Sequence, residues 1–381
     1  MIKKLVVIAH KYLSGPSDDL VIYAKNKELD KVLYIFHSFA DKPDRKSYFE
    51  LYEKGMLKLK GDSLDFAGWP EPLIYLKELI YTFWWVYRFA WKWDRIVALD
   101  GLSCLFAIIL RWFAKTREVI FWAIDFVIPD KRFSNSLKNK IYLAINRFSY
   151  SNSNQMWDLS PRMAEARQNY VDFPITGYKL RKIVPYGMWT QRIKTVSYED
   201  CDQNSLVFMG HLLPKQGVEL ILELLPELLK INPLIKLKII GGGALDYELK
   251  LKNLAHSLGI LESVKFYGKI IDPIEMEQEI AKSAIALAPY IRKLDTWTYY
   301  ADPGKVKTYL ACGVPVLLTD LPWNAKDIEM AECGKIITED ANDIIEKIVF
   351  LLNPDQNRSY RKSAIKYSAQ FDYQQIFDQN F

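Results

Sequence analysis

Gly241-Gly242-Gly243 closes an apolar run, LKII, and precedes a segment of helical period. Glycine there permits positive φ and close backbone approach, and amides at the start of a helix favour anions. A second loop of the same kind follows LVFMG: Gly210, His211, then Lys215-Gln216-Gly217. The flexible stem of Lys215 could reach a diphosphate, and His211 could donate a hydrogen bond, carrying full charge only below its pKa. The third is Pro303-Gly304-Lys305, where proline and glycine suit the opening of a helix and Gly313 suits its end. Free N–H groups at Gly304 and Lys305 would face a phosphate. All three patterns suit an anion such as a phosphate. A dinucleotide fingerprint is a poor match, because Asp246 stands where the third glycine of G-x-G-x-x-G belongs.

Other residues could do chemistry. Asp125 ends the apolar run FWAID, a place that faces the ligand crevice of an open α/β sheet; a local turn hydrogen bond is the other reading, and both stay open. His10 follows the first apolar run. Asp200-Cys201-Asp202 is the one Asp-x-Asp, but it sits in a polar stretch, so no metal role is expected there. Cys104, Cys201, Cys312 and Cys333 lie far apart without C-x-x-C spacing, which argues against a disulfide framework or zinc site and makes a reducing cytoplasm the default.

These residues need elements to hold them. Apolar runs at 5–9, 31–37, 95–100, 118–125, 155–160 and 181–187 alternate with helix-length segments at 73–93, 102–114, 137–150 and 161–171. The alternation restarts at LVFMG (206–210) and continues through residue 337. Short apolar runs between helical periods predict parallel sheets covered on both faces. Two such runs in 381 residues predict an α/β protein of two facing Rossmann-like domains. The expected domains are 1–187 and 188–359, with the polar stretch 191–205 as linker and a helix of about 360–381 crossing back to the first. No apolar run approaches the roughly 18 residues of a transmembrane helix, and the apolar stretch 5–9 is short for a secretory leader.

In order, IVPYGM, VFMGHLLPKQGVELIL, IIGGGALDYELKLKNLAHSLGI, VKFYGKI and PGKVKTYLACGVPVLLTD resemble glycosyltransferase family 4 (glycosyl transferases group 1), enzymes of GT-B architecture. The similarity covers most of 184–338 and the first half in outline. It implies a nucleotide-sugar donor held by the second domain, with Gly210, His211, Lys215, Gly241, Gly242, Gly243, Tyr267, Gly268, Lys269, Gly304, Lys305 and Thr308 as its contacts. The nucleotide sugar is a substrate, and no cofactor is implied. The family carries glutamates at the positions of Tyr300 and Thr308; both are absent, and Asp302 or Asp295 could supply a carboxylate nearby. By resemblance Asp125 is the catalytic-site residue, while His10, Gly15 and Arg132 meet the acceptor, a glycan or lipid-linked molecule. A retaining, metal-independent hexosyltransferase is implied, in polysaccharide or glycolipid assembly.

Charge is uneven. Residues 1–187 hold 29 Lys or Arg against 20 Asp or Glu, and eight of the eleven tryptophans. The remainder is net −4. A basic half concentrates anionic partners around it. Lys131, Arg132, Lys138, Lys140 and Arg147 cluster, and 73–93 drawn as a helix has an apolar stripe (Leu76, Ile80, Phe83, Tyr87, Ala90) opposite Lys77, Tyr81, Trp85, Arg88 and Lys92. The mixed stripe suits an anionic membrane surface, or ordinary packing. No nucleic-acid motif is present. The expected function is thus a cytoplasmic glycosyltransferase, in peripheral contact with the inner membrane face. The alternative is a catalytically inactive GT-B protein that binds or senses nucleotide sugars.

Overall fold

The computed structural model describes residues 2–11, 15–38, 44–124, 136–294 and 297–381. The chain divides into two units, Met1–Pro185 with Phe377–Phe381, and Tyr186–Ile376. In the first, strands β1 (Lys4–Lys11), β2 (Lys31–Ser38), β3 (Ser47–Glu53), β4 (Met56–Asp62), β5 (Trp93–Ala98), β6 (Thr116–Ala123), β7 (Gln155–Asp158) and β8 (Arg181–Ile183) form one sheet. Its order is β4-β3-β2-β1-β5-β6-β7-β8. All pairs from β2 to β8 are parallel; β3 and β4 run antiparallel at one edge. This hairpin departs from the expected all-parallel pattern. Its turn, Lys54-Gly55, has φ of 47° and 75° at the two residues, a two-residue turn whose twist matches the strands it joins.

Helices α1 (Pro16–Asn26), α2 (Glu71–Phe89), α3 (Gly101–Trp112), α4 (Leu137–Asn152) and α5 (Met163–Val171) belong to this unit. The strands β1, β5 and β6 carry buried apolar runs, Leu5–Ala9, Ile96–Ala98 and Val119–Ala123, as a sheet covered on both faces requires. Helix α2 turns the other way from the sequence expectation. Its buried residues are Ile74, Lys77, Glu78, Thr82, Trp85 and Val86, while Leu76, Ile80 and Tyr87 of the predicted inner stripe are exposed. The reason is polar: Lys77 donates to Ser47 Oγ and to the Arg45 carbonyl, and Thr82 and Glu78 meet His37 and His10. Trp85 fills the space beside them, 5.0 Å from the Phe49 ring.

The second unit has β9 (Asp202–Met209), β10 (Lys236–Ile240), β11 (Val264–Gly268), β12 (Ser283–Ala288), β13 (Val316–Leu318) and β14 (Gly334–Ile336). They form a sheet in the order β11-β10-β9-β12-β13-β14, parallel throughout. Its helices are α6 (Val218–Ile231), α7 (Leu245–Ser257), α8 (Pro273–Ala281), α9 (Gly304–Ala311), α10 (Ala325–Met330), α11 (Ala341–Leu352) and α12 (Pro354–Ser368). A last helix, α13 (Tyr373–Asn380), carries the chain from one unit's residues to the other's. Both sheets reverse strand order once, at β1/β5 and at β9/β12, and ligands of open α/β sheets bind at such points.

Two expected boundaries move. The stretch 191–205 folds into the second unit, where Arg192 pairs with buried Glu277 and the Val196 carbonyl accepts from Arg361. Most of the segment 360–381 stays there too. Buried Arg361 donates to the carbonyls of Ala281 and Ser283, and buried Asn357 to that of Ala284, tying α12 to the start of β12. Only the final five residues join the first unit, with Phe377 against Trp122 and Tyr23.

Candidate functional site

In the second unit the loops after β9, β10 and β11 are laced together by backbone. Gly210 N–H donates to Ile240 (3.0 Å), Leu212 N–H to Gly242 (2.9 Å) and Gly241 N–H to Gly268 (2.8 Å). Gly241 has φ of 139°, and a Cβ there would lie 1.9 Å from the Gly210 carbonyl oxygen, so only glycine fits. The lacing leaves a cavity of about 510 Å³ above the strand ends, lined by Gly210, His211, the three glycines 241–243, Lys269 and Met276. Glu248, from the first turn of α7, also lines it and accepts the Gly243 N–H at 2.7 Å. The sequence reading missed Glu248; an acid in a helix's first turn was its available signal.

Helix α9 opens beside this cavity's rim. Pro303 at its N-cap has no side-chain hydrogen bond to offer the first turn. The ammonium of Lys305 lies 4.5 Å from the centroid of Phe208 and 4.4 Å from that of Tyr290, and donates to Gln216. It would stand 3.9 Å from a Cβ at Gly210, which puts a cation against the glycine loop. Tyr309 on the same helix accepts the Met209 N–H (2.6 Å) and donates to the Leu287 carbonyl (3.2 Å), fixing α9 to the β9/β12 reversal. A helix start without a side-chain cap and a cation, set beside glycine loops that admit close approach, can hold a multiply charged phosphate.

Other expected donor residues sit differently. Lys215 lies in a short turn whose carbonyl accepts the Ile291 N–H, and it does not line the cavity. The Tyr267 hydroxyl turns to Glu279 of α8 at 2.8 Å, while its neighbour Gly268 gives its carbonyl to Gly241. Thr308 is buried, with its hydroxyl bonded to the Gly304 carbonyl of its own helix. Asp302 is no substitute carboxylate. It is buried in an ion pair with Lys307 and accepts from the Tyr186 N–H (2.7 Å) and the Trp323 indole (2.9 Å). Asp295 lies outside the described residues.

The first unit has its own polar centre at its order reversal. The β1/β2 register pairs His10 with His37, and their rings stand 5.0 Å apart. His10 Nδ1 meets Asp100 at 3.0 Å and Nε2 meets Glu78 at 3.1 Å. Burial alone would lower the His10 pKa, but the two carboxylates outweigh it and raise it to about 10. Burial likewise opposes the charge of Asp100 and Glu78, and the imidazolium holds both below the usual carboxylate range. His37 shifts the other way: burial pushes it down to about 3, with Glu78 partly opposing. Both His10 nitrogens are thus engaged, so it works as a charged strut. Gly15 opens α1 with its N–H given to Asp18 (2.8 Å). Asp125 and Arg132, expected at the catalytic and acceptor positions, lie outside the described residues, as does Lys131.

Residues 190–371 match the family model described as Glycosyl transferases group 1. Similar solved structures include sucrose-phosphate synthase from Thermosynechococcus elongatus (TM-score 0.70, 14% identity, covering 99% of this chain and 97% of that one). HepE of Anabaena in complex with UDP gives TM-score 0.68 at 15% identity, covering 99% and 98%. WaaG, a glycosyltransferase involved in lipopolysaccharide biosynthesis, gives 0.66 at 16%, covering 99% and 98%. No curated protein matches the chain by sequence. With that family match on its second unit and this likeness along its length, the chain is a two-Rossmann protein of GT-B architecture carrying a glycosyl transferases group 1 domain.

Proposed function

We propose that the protein is a nucleotide-sugar-dependent glycosyltransferase whose second domain holds the donor diphosphate between the glycine-laced loops and the start of α9. The observation that carries this is the meeting of the Gly210 loop, the glycine loop 241–243 and Lys305 of α9 at the β9/β12 reversal. The N-terminal dipole of α9 and an ammonium beside it, aimed at one diphosphate, stabilise the charge that develops as the sugar leaves. That is work a metal ion does in other transferases, which supports metal independence; retention of configuration and a hexosyl group rest on the family resemblance alone. The HepE structures with UDP and with UDP-glucose support a nucleoside diphosphate sugar as donor. The acceptor is a glycan or lipid-linked molecule, and the setting cell-surface polysaccharide or glycolipid assembly at the cytoplasmic membrane face, in line with the process named for WaaG.

A second reading, a GT-B protein that binds nucleotide sugars without turnover, draws on one observation. Tyr300 and Thr308 stand where the resemblance expects glutamates, and Asp302 is committed to Lys307. Calorimetry with UDP and GDP, then donor hydrolysis and transfer assays with UDP-hexoses, separate the cases. Micromolar binding with turnover supports the transferase, and binding without hydrolysis supports the second reading. Absence of binding by both nucleotides refutes both.

A further inference from the structure

The cavity of the second domain carries two opposite charges that do not pair. Glu248 comes from the first turn of α7 and Lys269 from the loop after β11, and both line the cavity. A Cβ at Gly242 would lie 3.2 Å from Glu248 Oε1 and 4.0 Å from Lys269 Cβ, so the two side chains flank one glycine. Glu248 accepts the Gly243 N–H at 2.7 Å with one oxygen, and no other partner of its carboxylate is found among the described residues. Lys269 meets no acid there either. An acceptor and a donor are thus held side by side on a cavity wall without satisfying each other.

A carboxylate repels phosphate, so it belongs to the other end of a bound nucleotide. Lys305 marks the phosphate end at Gly210; Glu248 and Lys269 stand at the Gly242 end, where Ile270 and Met276 offer apolar wall to a planar ring. The edge of that ring must give N–H groups to the carboxylate and a carbonyl to the ammonium. Guanine has them in one row: N1–H and the 2-amino group donate, and O6 accepts. Uracil sets a carbonyl on each side of its single N–H, and adenine sets a bare ring nitrogen beside its amine. Against Glu248 both would turn lone pairs toward an anion, which discriminates as strongly as a good contact attracts. We infer that Glu248 and Lys269 select guanine, so that the donor is a guanosine diphosphate sugar. The inference rests on the donor reading of this cavity and adds the base to it. The UDP bound to HepE does not bear on the base here, since at 15% identity that likeness is one of fold.

Calorimetry of the full chain with GDP, UDP, ADP and inosine diphosphate tests it. Inosine diphosphate keeps N1–H and O6 but lacks the 2-amino group, so its ratio to GDP reads one hydrogen bond to the carboxylate. GDP should bind about tenfold or more tighter than each of the other three, as expected for N–H groups donated to a charged acceptor. In Glu248→Gln the side-chain oxygen can still accept the Gly243 N–H, so circular dichroism and Tm should match the parent. Its amide NH2 opposes the guanine donors, and the preference for GDP over inosine diphosphate should vanish. Lys269→Met should weaken GDP and leave that ratio as it is. UDP or ADP bound as tightly as GDP, a parent ratio near one, or a Glu248→Gln variant that weakens all four nucleotides alike overturns the inference while the donor reading stands. The last of these outcomes would make Glu248 a ribose contact or a loop brace. If none of the four binds, the donor reading falls with it.

Discussion

Glu78→Gln perturbs the buried centre of the first domain with almost no change of shape. A histidine raised from 6.5 to about 10 gains roughly 5 kcal/mol from its surroundings, to which Asp100 and Glu78 contribute by charge and hydrogen bond. The sign follows from linkage. A group whose folded pKa is raised contributes fully below its unfolded pKa and loses that contribution as pH rises through the folded value. His10 should therefore cost the folded domain about 3 kcal/mol between pH 6.5 and 9, close to one proton's slope. Asp100 and Glu78, held low, titrate well below this window and leave the slope unchanged. Urea unfolding followed by tryptophan fluorescence reads it, since Trp85, Trp93, Trp122 and Trp157 are all buried in this domain. In Glu78→Gln the slope should shrink, and the His10 ring proton, silent below pH 9 in the parent, should titrate at lower pH by NMR. A parent protein with flat stability across this range, or a His10 that titrates near 6.5, refutes the assignment of a charged strut.

Lys305→Ala should weaken UDP or GDP binding about tenfold or more by calorimetry, a charge-assisted contact being worth about 1.5–3 kcal/mol, while Lys215→Ala should do less because its turn lies off the cavity. Gly241→Ala should abolish nucleotide binding and lower the Tm of the second domain, since its Cβ would strike the Gly210 carbonyl and its φ of 139° is foreign to alanine. Lys307→Met should destabilise that domain by about 3–5 kcal/mol, measured by calorimetric unfolding, because it leaves Asp302 buried without its partner.

The legible parts of the sequence were those where backbone chemistry leaves a mark in residue type. Gly210, Gly241 and Gly243 mark loops whose backbone disfavours any side chain, and the apolar runs of β1, β5, β9 and β12 announce covered strands. Helix α2 was misread because hydrophobic periodicity ranks faces by apolar content, whereas this helix buries Lys77, Glu78 and Thr82 against partners 30 to 68 residues away in the chain. Asp302 shows the same blindness. Its carboxylate stood near the positions where glutamates were missing, and only the fold reveals that Lys307, Tyr186 and Trp323 already hold it.

The two domains place charge at the same topological point and use it differently. At the β1/β5 reversal of the first, His10, Asp100 and Glu78 satisfy one another, so their charges stabilise the fold. At the β9/β12 reversal of the second, the Lys305 ammonium lies over the Phe208 and Tyr290 rings beside the glycine loop and donates to the side-chain oxygen of Gln216. The one acid in the cavity, Glu248, takes a single amide, that of Gly243. Lys307, two residues on, is buried in an ion pair with Asp302, whereas the Lys305 ammonium stands against Gly210, where the proposed diphosphate would lie. On the proposed reading these two lysines of one helix have different tasks, so the Lys305→Ala and Lys307→Met variants should separate, one losing nucleotide and the other stability.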